Sequence, residues 1–448
     1  MDLSTENNLL ARLDRLPIWP YSRGVLLTIG LGFFFAFFDI ITIGLAIPVL
    51  VQQFHVSLSL VLWCISSSLI GYIVGSLFDS VLSDFFGRRL ALILSMLFFS
   101  VGSILSAFSP NIYFLIAMRF IIGMGIGSEI ANVTTYLGEL SPASIRGKMT
   151  SVAVALGFLG FAVVPFVGLA LIPHYVWGWR VVFALGGLGA LVVMFCRRFV
   201  PQSIRWLVSH SKLEQARVEL EALEARVVSR IKKALPPIAA SEGFAPSSYK
   251  DLFKPAQFKT ILFFSAIWFF YYIGNYAWLT LDTKLFLLGG FDLHNSLLLV
   301  SVSSLGFILG SLFAIFFSDC FERKYTIFVS AIVWALCLLA IAWWPSLWLI
   351  MVLGCLAAIT ISILIPLLYT LTGESFPTAC RATGISVTDG VGHLGGAFCG
   401  QIIFAVYDYT KASGHGVSFA FTAMAITGLI TAIMVLFGLR MTRQSLQQ

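Results

Sequence analysis

The stretch GSLFDSVLSDFFGRR, residues 75–89, returns 235 residues further along the chain as GSLFAIFFSDCFERK, residues 310–324. Eight of the fifteen positions are identical, whereas about one identity is expected between unrelated stretches of this length. The same offset aligns an acidic, a proline and a basic residue of each half: Glu139, Pro142 and Arg146 with Glu374, Pro377 and Arg381. The chain of 448 residues is therefore predicted to be a tandem duplication.

The composition is that of a protein embedded in lipid. Apolar residues make up 59% of the chain and charged residues only 11%, against about 25% charged in soluble domains. Apolar runs of about 20 residues, each long enough to cross ~30 Å of hydrocarbon, recur twelve times, at 25–51, 59–81, 89–108, 112–137, 150–172, 179–198, 258–281, 295–317, 325–343, 346–371, 384–407 and 417–438. Each repeat then holds six spans, an even number, so both repeats are predicted to share one orientation.

The basic residues are sorted by loop. Of the 28 lysines and arginines, only Arg180, Lys284 and Lys411 fall in loops on one side, and Arg119 lies within a span. The positive-inside rule makes the other side, with both termini, cytoplasmic. The net charge of +7 therefore indicates membrane topology and a lipid partner, not nucleic acid. The seven cysteines have no CxxC spacing, which predicts neither a disulfide framework nor a metal site, and no cofactor is expected.

A polar segment at about 199–256 separates the two apolar halves. It contains SKLEQARVELEALEARV (211–227), whose apolar residues recur at helical spacing among alternating charges, a pattern typical of a surface helix. We predict an N-terminal six-helix bundle at 1–198, a cytoplasmic linker with an amphipathic helix at 199–256, and a C-terminal six-helix bundle at 257–448.

The repeated loop resembles the signature loop of the major facilitator superfamily. LSDFFGRR (82–89) is similar to its copy between the second and third spans, and SDCFERK (318–324) to its second copy. RFIIGMGIGSEIANVTTYLGELSPASIRG (119–147) and PQSIRWL (201–207) resemble the sugar-porter and organic-ion or metabolite–proton symporter branch. The resemblance implies an all-α membrane protein whose twelve transmembrane helices form two pseudo-symmetric six-helix bundles. Such halves rock about a central cavity.

The repeated loops carry acidic residues that topology does not require. Carboxylates at helix ends can form charge-assisted hydrogen bonds with nearby arginines and so link neighbouring spans. In the resembling family these loops latch the halves together on the cytoplasmic side. The implied gating set is Asp84, Arg88, Arg89, Glu139, Arg146, Asp319, Arg323, Glu374 and Arg381. The alternative is that the basic residues only fix topology and contact lipid headgroups.

Two opposite charges are predicted at similar depth in the membrane. Asp39 lies about 15 residues, or ~22 Å, into span one from the cytoplasm, and Arg119 lies ~10 Å into span four from the outside. On a ~30 Å membrane both fall in the outer half, so they can pair. In proton-coupled relatives of the resembling branch, the acid and arginine at these positions form the coupling pair. The alternative is a static structural ion pair.

Other polar residues in the spans are candidates for ligand contact. Glu129 is ~15 Å further toward the cytoplasm than Arg119 and either faces the cavity or braces the latch. Asp389 and His393, four residues apart, share one helical face and could relay protons or bind a polar ligand, although a buried histidine more often only packs.

The aromatic runs FFFAFF (33–38) and WFFYYI (268–273) align by the same 235-residue offset, so both spans are predicted to line the central cavity. The tyrosines and tryptophans of span seven carry polar groups that need partners, although core packing is the default interpretation of their spacing. The predicted ligand-contacting set is Phe35, Glu129, Trp268, Tyr271, Tyr272, Asn275, Trp278, Asp389 and His393.

These observations predict a secondary active transporter, a proton-coupled symporter of a small organic solute working by alternating access. The solute could be an organic acid, an aromatic metabolite or an organic cation, since the glutamines of hexose carriers are missing from spans five and seven. The alternatives are a proton-coupled exporter of drugs or metabolites, and a ligand sensor that does not transport. The sequence has no nucleophile–base pattern of the kind that would indicate an enzyme. The short first outer loop (52–58) favours a bacterial inner-membrane protein, and we expect a monomer.

Overall fold

The structure is a computed structural model that describes residues 3–238, 255–317, 321–376 and 381–438. These residues form twelve helices long and apolar enough to cross a membrane, and no strand occurs among them. In chain order the twelve spans are Arg23–Gln53, Leu58–Phe86, Arg88–Ala107, Ile112–Leu140, Arg146–Leu171, Gly178–Cys196, Pro255–Leu288, Leu293–Phe317, Arg323–Trp343, Leu347–Glu374, Arg381–Thr410 with an interruption at Phe398, and Gly416–Leu436. The predicted twelve-span all-α architecture is confirmed.

The duplication is visible in how the spans begin. The side chain of Asn111 accepts a hydrogen bond from the backbone N–H of Phe114 at 2.9 Å, at the start of span 4. Ser346, which lies 235 residues later, caps span 10 in the same way. Such side-chain caps satisfy backbone donors that have no partner inside the helix, so each half fixes the start of its fourth span with the same device.

The two halves also pack their helices in the same order. In the first half the extensive pairs are spans 2 and 4, 1 and 5, 3 and 4, and 3 and 6, and in the second half spans 8 and 10, 7 and 11, 9 and 10, and 9 and 12. Small residues permit the closest of these contacts. A Cβ on Gly123 would lie 1.8 Å from the carbonyl oxygen of Ser68, which no side chain could tolerate, so glycine allows spans 2 and 4 to touch through their backbones.

In the part of the chain that the structure describes, one end of the bundle, the linker end, carries three α-helices that do not cross the membrane. They are the N-terminal helix Leu3–Asp14 and the linker helices Ile204–Ser209 and Leu213–Ile231. The helix Leu213–Ile231 overlaps the segment 211–227 whose pattern predicted a surface helix. Its apolar face, which includes Leu220 and Val227, is buried in a second apolar core with the N-terminal helix and the linker ends of the first-half spans. The predicted division of the chain at residues 198 and 256 stays a prediction.

The halves meet at the end opposite the linker, called the far end. Spans 1 and 7, 2 and 11, and 5 and 8 pack across the seam between them. A Cβ on Gly44 would lie 2.7 Å from the Cα of Thr280, and the Ser66 hydroxyl donates to the carbonyl oxygen of Ala397 at 2.6 Å. These four residues lie in the far-end portions of their spans, so the two halves are closed against each other on the far side.

The N-terminal helix is held to the linker helix by a charge cluster with a definite pH dependence. Arg12 and Arg15 each contact the Glu224 carboxylate at 2.7 Å. Burial alone would raise the pKa of Glu224, but the hydrogen bonds from Arg12 and then Arg15 outweigh it and hold that pKa below its ordinary value. A carboxyl whose pKa is lowered on folding stabilises the folded state above its unfolded pKa of about 4.3. That contribution is lost as the pH falls through the lowered value.

We therefore expect the N-terminal helix to remain docked at neutral pH and to loosen only in acid, below about pH 4. Hydrogen exchange of residues 3–14, expressed as protection relative to the intrinsic rate, measures this directly. The Glu224→Gln variant should show the reduced protection already at pH 7. Equal protection of wild type and variant at pH 7 would contradict the assignment.

Candidate functional site

Asp39 and Arg119 form an ion pair in the interior of the first half. The guanidinium Nη1 contacts the carboxylate Oδ2, and both side chains are at most 2% exposed. The Ser103 hydroxyl lies 3.4 Å from the other carboxylate oxygen, and Arg119 also donates to the Ser68 hydroxyl at 3.2 Å. The structure thus brings together the two residues whose depths predicted a pair, and it joins spans 1, 2, 3 and 4 around them.

Glu129 belongs to a second buried ion pair nearer the linker end. Arg197, at the end of span 6, donates to both carboxylate oxygens of Glu129, and neither side chain is exposed. The Ser95 hydroxyl adds a donor at 2.7 Å. Protein donors therefore occupy both carboxylate oxygens of Glu129 in this arrangement. Its place in the ligand-contacting set stays a prediction.

Asp389 lies at the centre of a cluster of tyrosines. The hydroxyls of Tyr272 and Tyr369 donate to its Oδ1 at 2.7 and 2.5 Å. The hydroxyl of Tyr72 donates to Oδ2 at 3.1 Å. Tyr72 comes from span 2 of the first half, whereas the other residues belong to spans 7, 10 and 11 of the second half. One carboxylate therefore connects the two halves near the middle of spans 2 and 7.

His393 extends this cluster by one helical turn. Its Nδ1 lies 2.8 Å from the backbone oxygen of Asp389, which only accepts, so Nδ1 carries the proton. In the neutral ring Nε2 then accepts from the Tyr276 hydroxyl at 3.0 Å. The ring stacks on Tyr72 with centroids 3.8 Å apart and planes 13° apart. The expectation that Asp389 and His393 share one face is met, and together they present a carboxylate beside a flat aromatic surface.

The remaining span 7 candidates divide between this cluster and the packed core. Trp268 joins the cluster, because its ring centroid lies 4.5 Å from that of Tyr369. Tyr271 and Asn275 are buried, and the Tyr271 hydroxyl and Asn275 Oδ1 have no hydrogen-bond partner among the described residues. Trp278 packs instead against aromatic side chains inside the second half. Its inclusion among the ligand contacts stays a prediction.

Phe35, another member of the predicted ligand-contacting set, is packed among other side chains in this arrangement, and its role stays a prediction. Its ring lies so close to span 6 that a Cβ on Gly189 would be 2.1 Å from it, and it makes edge and tilted contacts with Phe34 and Phe38. Phe35 therefore packs within the first half and does not face the seam between the halves.

The described members of the predicted gating set form one equivalent pair in each half. Arg88 contacts Glu139 at 3.0 Å, and Arg323 contacts Glu374 at 2.7 Å. Both pairs lie within a half, where they tie the start of the third span of that half to the end of its fourth span. Two other basic members have different partners at the linker end. Arg89 donates to the carbonyl oxygen of Arg198, and Arg146 contacts Asp14 at 3.4 Å. Asp319 and the side chains of Asp84 and Arg381 lie outside the described residues.

Sequence reasoning missed the tyrosines that surround Asp389 from spans 2 and 10. The repeat itself contained a signal for them, since the 235-residue offset places Tyr72 opposite Phe307 and Tyr369 opposite Thr134. When one half has a tyrosine at a position and the other half does not, the duplication alone does not explain that tyrosine. In the described part of the chain, no group of three or more His, Cys, Asp or Glu side chains is placed to share a metal ion.

Comparison with known proteins identifies the family. Residues 25–445 match the family described as "Sugar (and other) transporter". The niacin transporter NiaP of Acinetobacter baylyi is 28% identical over 96% of this chain and 97% of its own. The 4-hydroxybenzoate transporter PcaK of the same organism is 28% identical over 89% and 88%. A solved structure of the xylose transporter XylE from E. coli superposes with a TM-score of 0.76 at 21% identity, covering 94% of this chain and 99% of that one. The chain belongs to the sugar (and other) transporter family of the major facilitator superfamily.

Proposed function

We propose that this protein is a proton-coupled symporter that carries a small aromatic solute across a bacterial inner membrane by alternating access. The observation that supports it most is the ion pair between Asp39 and Arg119. Ionisable residues inside membrane spans are costly unless they are paired, so they mark functional positions. The arginine favours the ionised carboxylate. A rearrangement that separates the two lets Asp39 take a proton, and the neutral acid then passes through the occluded state.

The linker end is the cytoplasmic end in this proposal, with both termini on that side, as the distribution of basic residues favours. The equivalent pairs Arg88–Glu139 and Arg323–Glu374 would then edge the cytoplasmic opening. Their side chains are 14–18% exposed, and partly exposed pairs are weak enough to rearrange in each cycle. The loops that they hold act as the cytoplasmic latch when the far side opens.

An aromatic solute is favoured among the three solute classes that the sequence left open. Trp268, Tyr272 and Tyr276 surround the Asp389 and His393 pair with aromatic surface. Flat rings of this kind bind other flat rings by stacking and edge contacts. The relatives described above are named as transporters of niacin and of 4-hydroxybenzoate, both of which are small aromatic molecules.

Uptake into proteoliposomes under an imposed pH gradient tests the proposal. With the outside one pH unit more acidic, a symporter that moves one proton per solute without net charge can sustain about tenfold accumulation. We expect gradient-dependent uptake of 4-hydroxybenzoate or nicotinate that a protonophore abolishes. Protein-free liposomes correct for passive entry of the neutral acids. Binding without gradient-dependent uptake would indicate a sensor, and uptake that requires the reversed gradient would indicate an exporter.

A further inference from the structure

We propose that Tyr72 is an internal competitor of the transported solute. In this arrangement its phenol fills a slot between the ring of His393 and the Oδ2 atom of Asp389, and a hydroxylated aromatic solute takes that slot when the halves separate on the far side. This inference rests on the proposed transport function and specifies its solute class as small phenols, with or without a carboxylate at the other end of the ring.

The contacts of Tyr72 are those that a bound phenol would make. The ring lies flat on the imidazole of His393 at 3.8 Å, and the hydroxyl reaches Asp389 at 3.1 Å. The residue is only 3% exposed, so the slot is closed around it. A stacking surface with one well-placed acceptor is how protein sites orient a small aromatic ligand.

Asp389 Oδ2 is the acceptor that either Tyr72 or a solute can use. Oδ1 already accepts two hydroxyls, from Tyr272 and Tyr369, which belong to the same half as Asp389. The nearest other donor to Oδ2 is Nδ1 of His393 at 3.5 Å, and that N–H is directed to a backbone oxygen at 2.8 Å. Once Tyr72 withdraws, a carboxylate oxygen is left without its hydroxyl donor. An unmet buried acceptor is costly, which favours a solute that restores the bond.

The slot stays intact when Tyr72 leaves, because its walls and its occupant move with different halves. Tyr72 is tied to span 4 of its own half, where a Cβ on Gly127 would lie 2.1 Å from the Tyr72 carbonyl oxygen. Asp389, His393 and Tyr276 all belong to the second half and are bonded to one another. Opening the far side separates spans 2 and 11 as rigid units, so the second half presents a ready-made phenol site to the outside.

The same geometry gives a reason for release on the other side. When the far side closes, Tyr72 returns to the slot and the solute must leave it. No arginine or lysine pairs with Asp389 among the described residues, so the slot favours a hydroxyl or N–H donor over a carboxylate. A solute that lacks such a donor should bind about ten- to a hundredfold more weakly, since hydrogen bonds to charged groups are the stronger ones.

Binding of 4-hydroxybenzoate and benzoate to the purified full chain tests the proposal. We expect the wild type to bind 4-hydroxybenzoate at least about tenfold more tightly than benzoate. Tyr72→Leu should raise the affinity for 4-hydroxybenzoate about tenfold, because the competitor has gone. Tyr72→Phe keeps the ring and should give a smaller increase. Asp389→Asn should remove the preference for the hydroxylated ring.

Phe307→Leu is the matched control, since Phe307 occupies the equivalent position in the second half and packs across the seam on Phe158 and Phe161. It loosens the seam without touching the slot, so its effect measures the affinity gained from easier separation of the halves alone, and that gain should be well below the gain of Tyr72→Leu. The proposal would be overturned if Tyr72→Leu bound 4-hydroxybenzoate more weakly than the wild type, or if both leucine variants gained affinity equally. It would also be overturned if neither the wild type nor Tyr72→Leu bound 4-hydroxybenzoate. Gradient-driven uptake of a non-phenolic solute alongside such a result would leave the transport function standing.

Discussion

Asp39→Asn is expected to abolish the accumulation of solute against its gradient while leaving solute binding and solute exchange in place. Asparagine keeps the size of the side chain and its contact with Arg119, but it cannot take up and release a proton. Transport by such a variant is no longer linked to the pH gradient, so it can only equalise concentrations. The measurement is the ratio of internal to external solute in proteoliposomes under an imposed gradient, which should fall from about tenfold to one.

Ser103→Ala is the control for this prediction. It removes the hydroxyl at 3.4 Å from Asp39 but leaves the ion pair with Arg119, so accumulation should persist. Exchange of labelled for unlabelled solute, measured on the same preparation, shows that the Asp39→Asn protein is folded and can move solute. If Asp39→Asn accumulates solute as the wild type does, the pair is a structural one and the proton enters elsewhere.

The depth of charged residues could be predicted from the sequence because helix geometry leaves little freedom along the membrane normal. A rise of about 1.5 Å per residue fixes how far Asp39 and Arg119 lie from the ends of their spans, and the structure pairs them. The equivalent pairs Arg88–Glu139 and Arg323–Glu374 could also be predicted from the sequence. The 235-residue repeat aligns Arg88 with Arg323 and Glu139 with Glu374.

The direction in which a side chain points around its helix could not be predicted in the same way. Phe35 and Asp39 are four residues apart and share a face, and that face points into the first half, where Arg119 lies. The seam lies on the helix face that carries Gly44. Gly44 is five residues beyond Asp39, which places it about 140° further around the helix. Spans 1 and 7 pack against each other across the seam, but the Phe35 ring lies against Gly189 of span 6, a direction that the alignment of the aromatic runs does not contain.

The partner of Glu129 was hidden for a different reason. Arg197 lies at the end of span 6 among other basic residues, where the positive-inside rule already accounts for an arginine. Its side chain nevertheless turns back into the bundle and is fully buried against Glu129. A loop arginine that supplies an interior ion pair has the same sequence signature as one that only fixes topology.

The strongest effect on stability is expected from Glu129→Gln. This change leaves the Arg197 guanidinium buried at 0% exposure without its carboxylate. Breaking one partner of a buried ion pair costs about 3–5 kcal/mol, because the remaining charge is neither paired nor solvated. In differential scanning fluorimetry of the detergent-solubilised protein, the variant should unfold at a clearly lower temperature than the wild type.

Two further variants separate this brace from a ligand contact. Glu221→Gln removes the partner of Arg217 in an ion pair that is more than half exposed on the linker helix, and exposed pairs contribute little, so its unfolding temperature should match the wild type. Glu129→Gln combined with Arg197→Met should regain much of the lost stability, since the second change removes the unpaired buried charge that causes the loss. A Glu129→Gln protein that unfolds like the wild type but binds 4-hydroxybenzoate more weakly would instead place Glu129 in contact with the solute during the cycle.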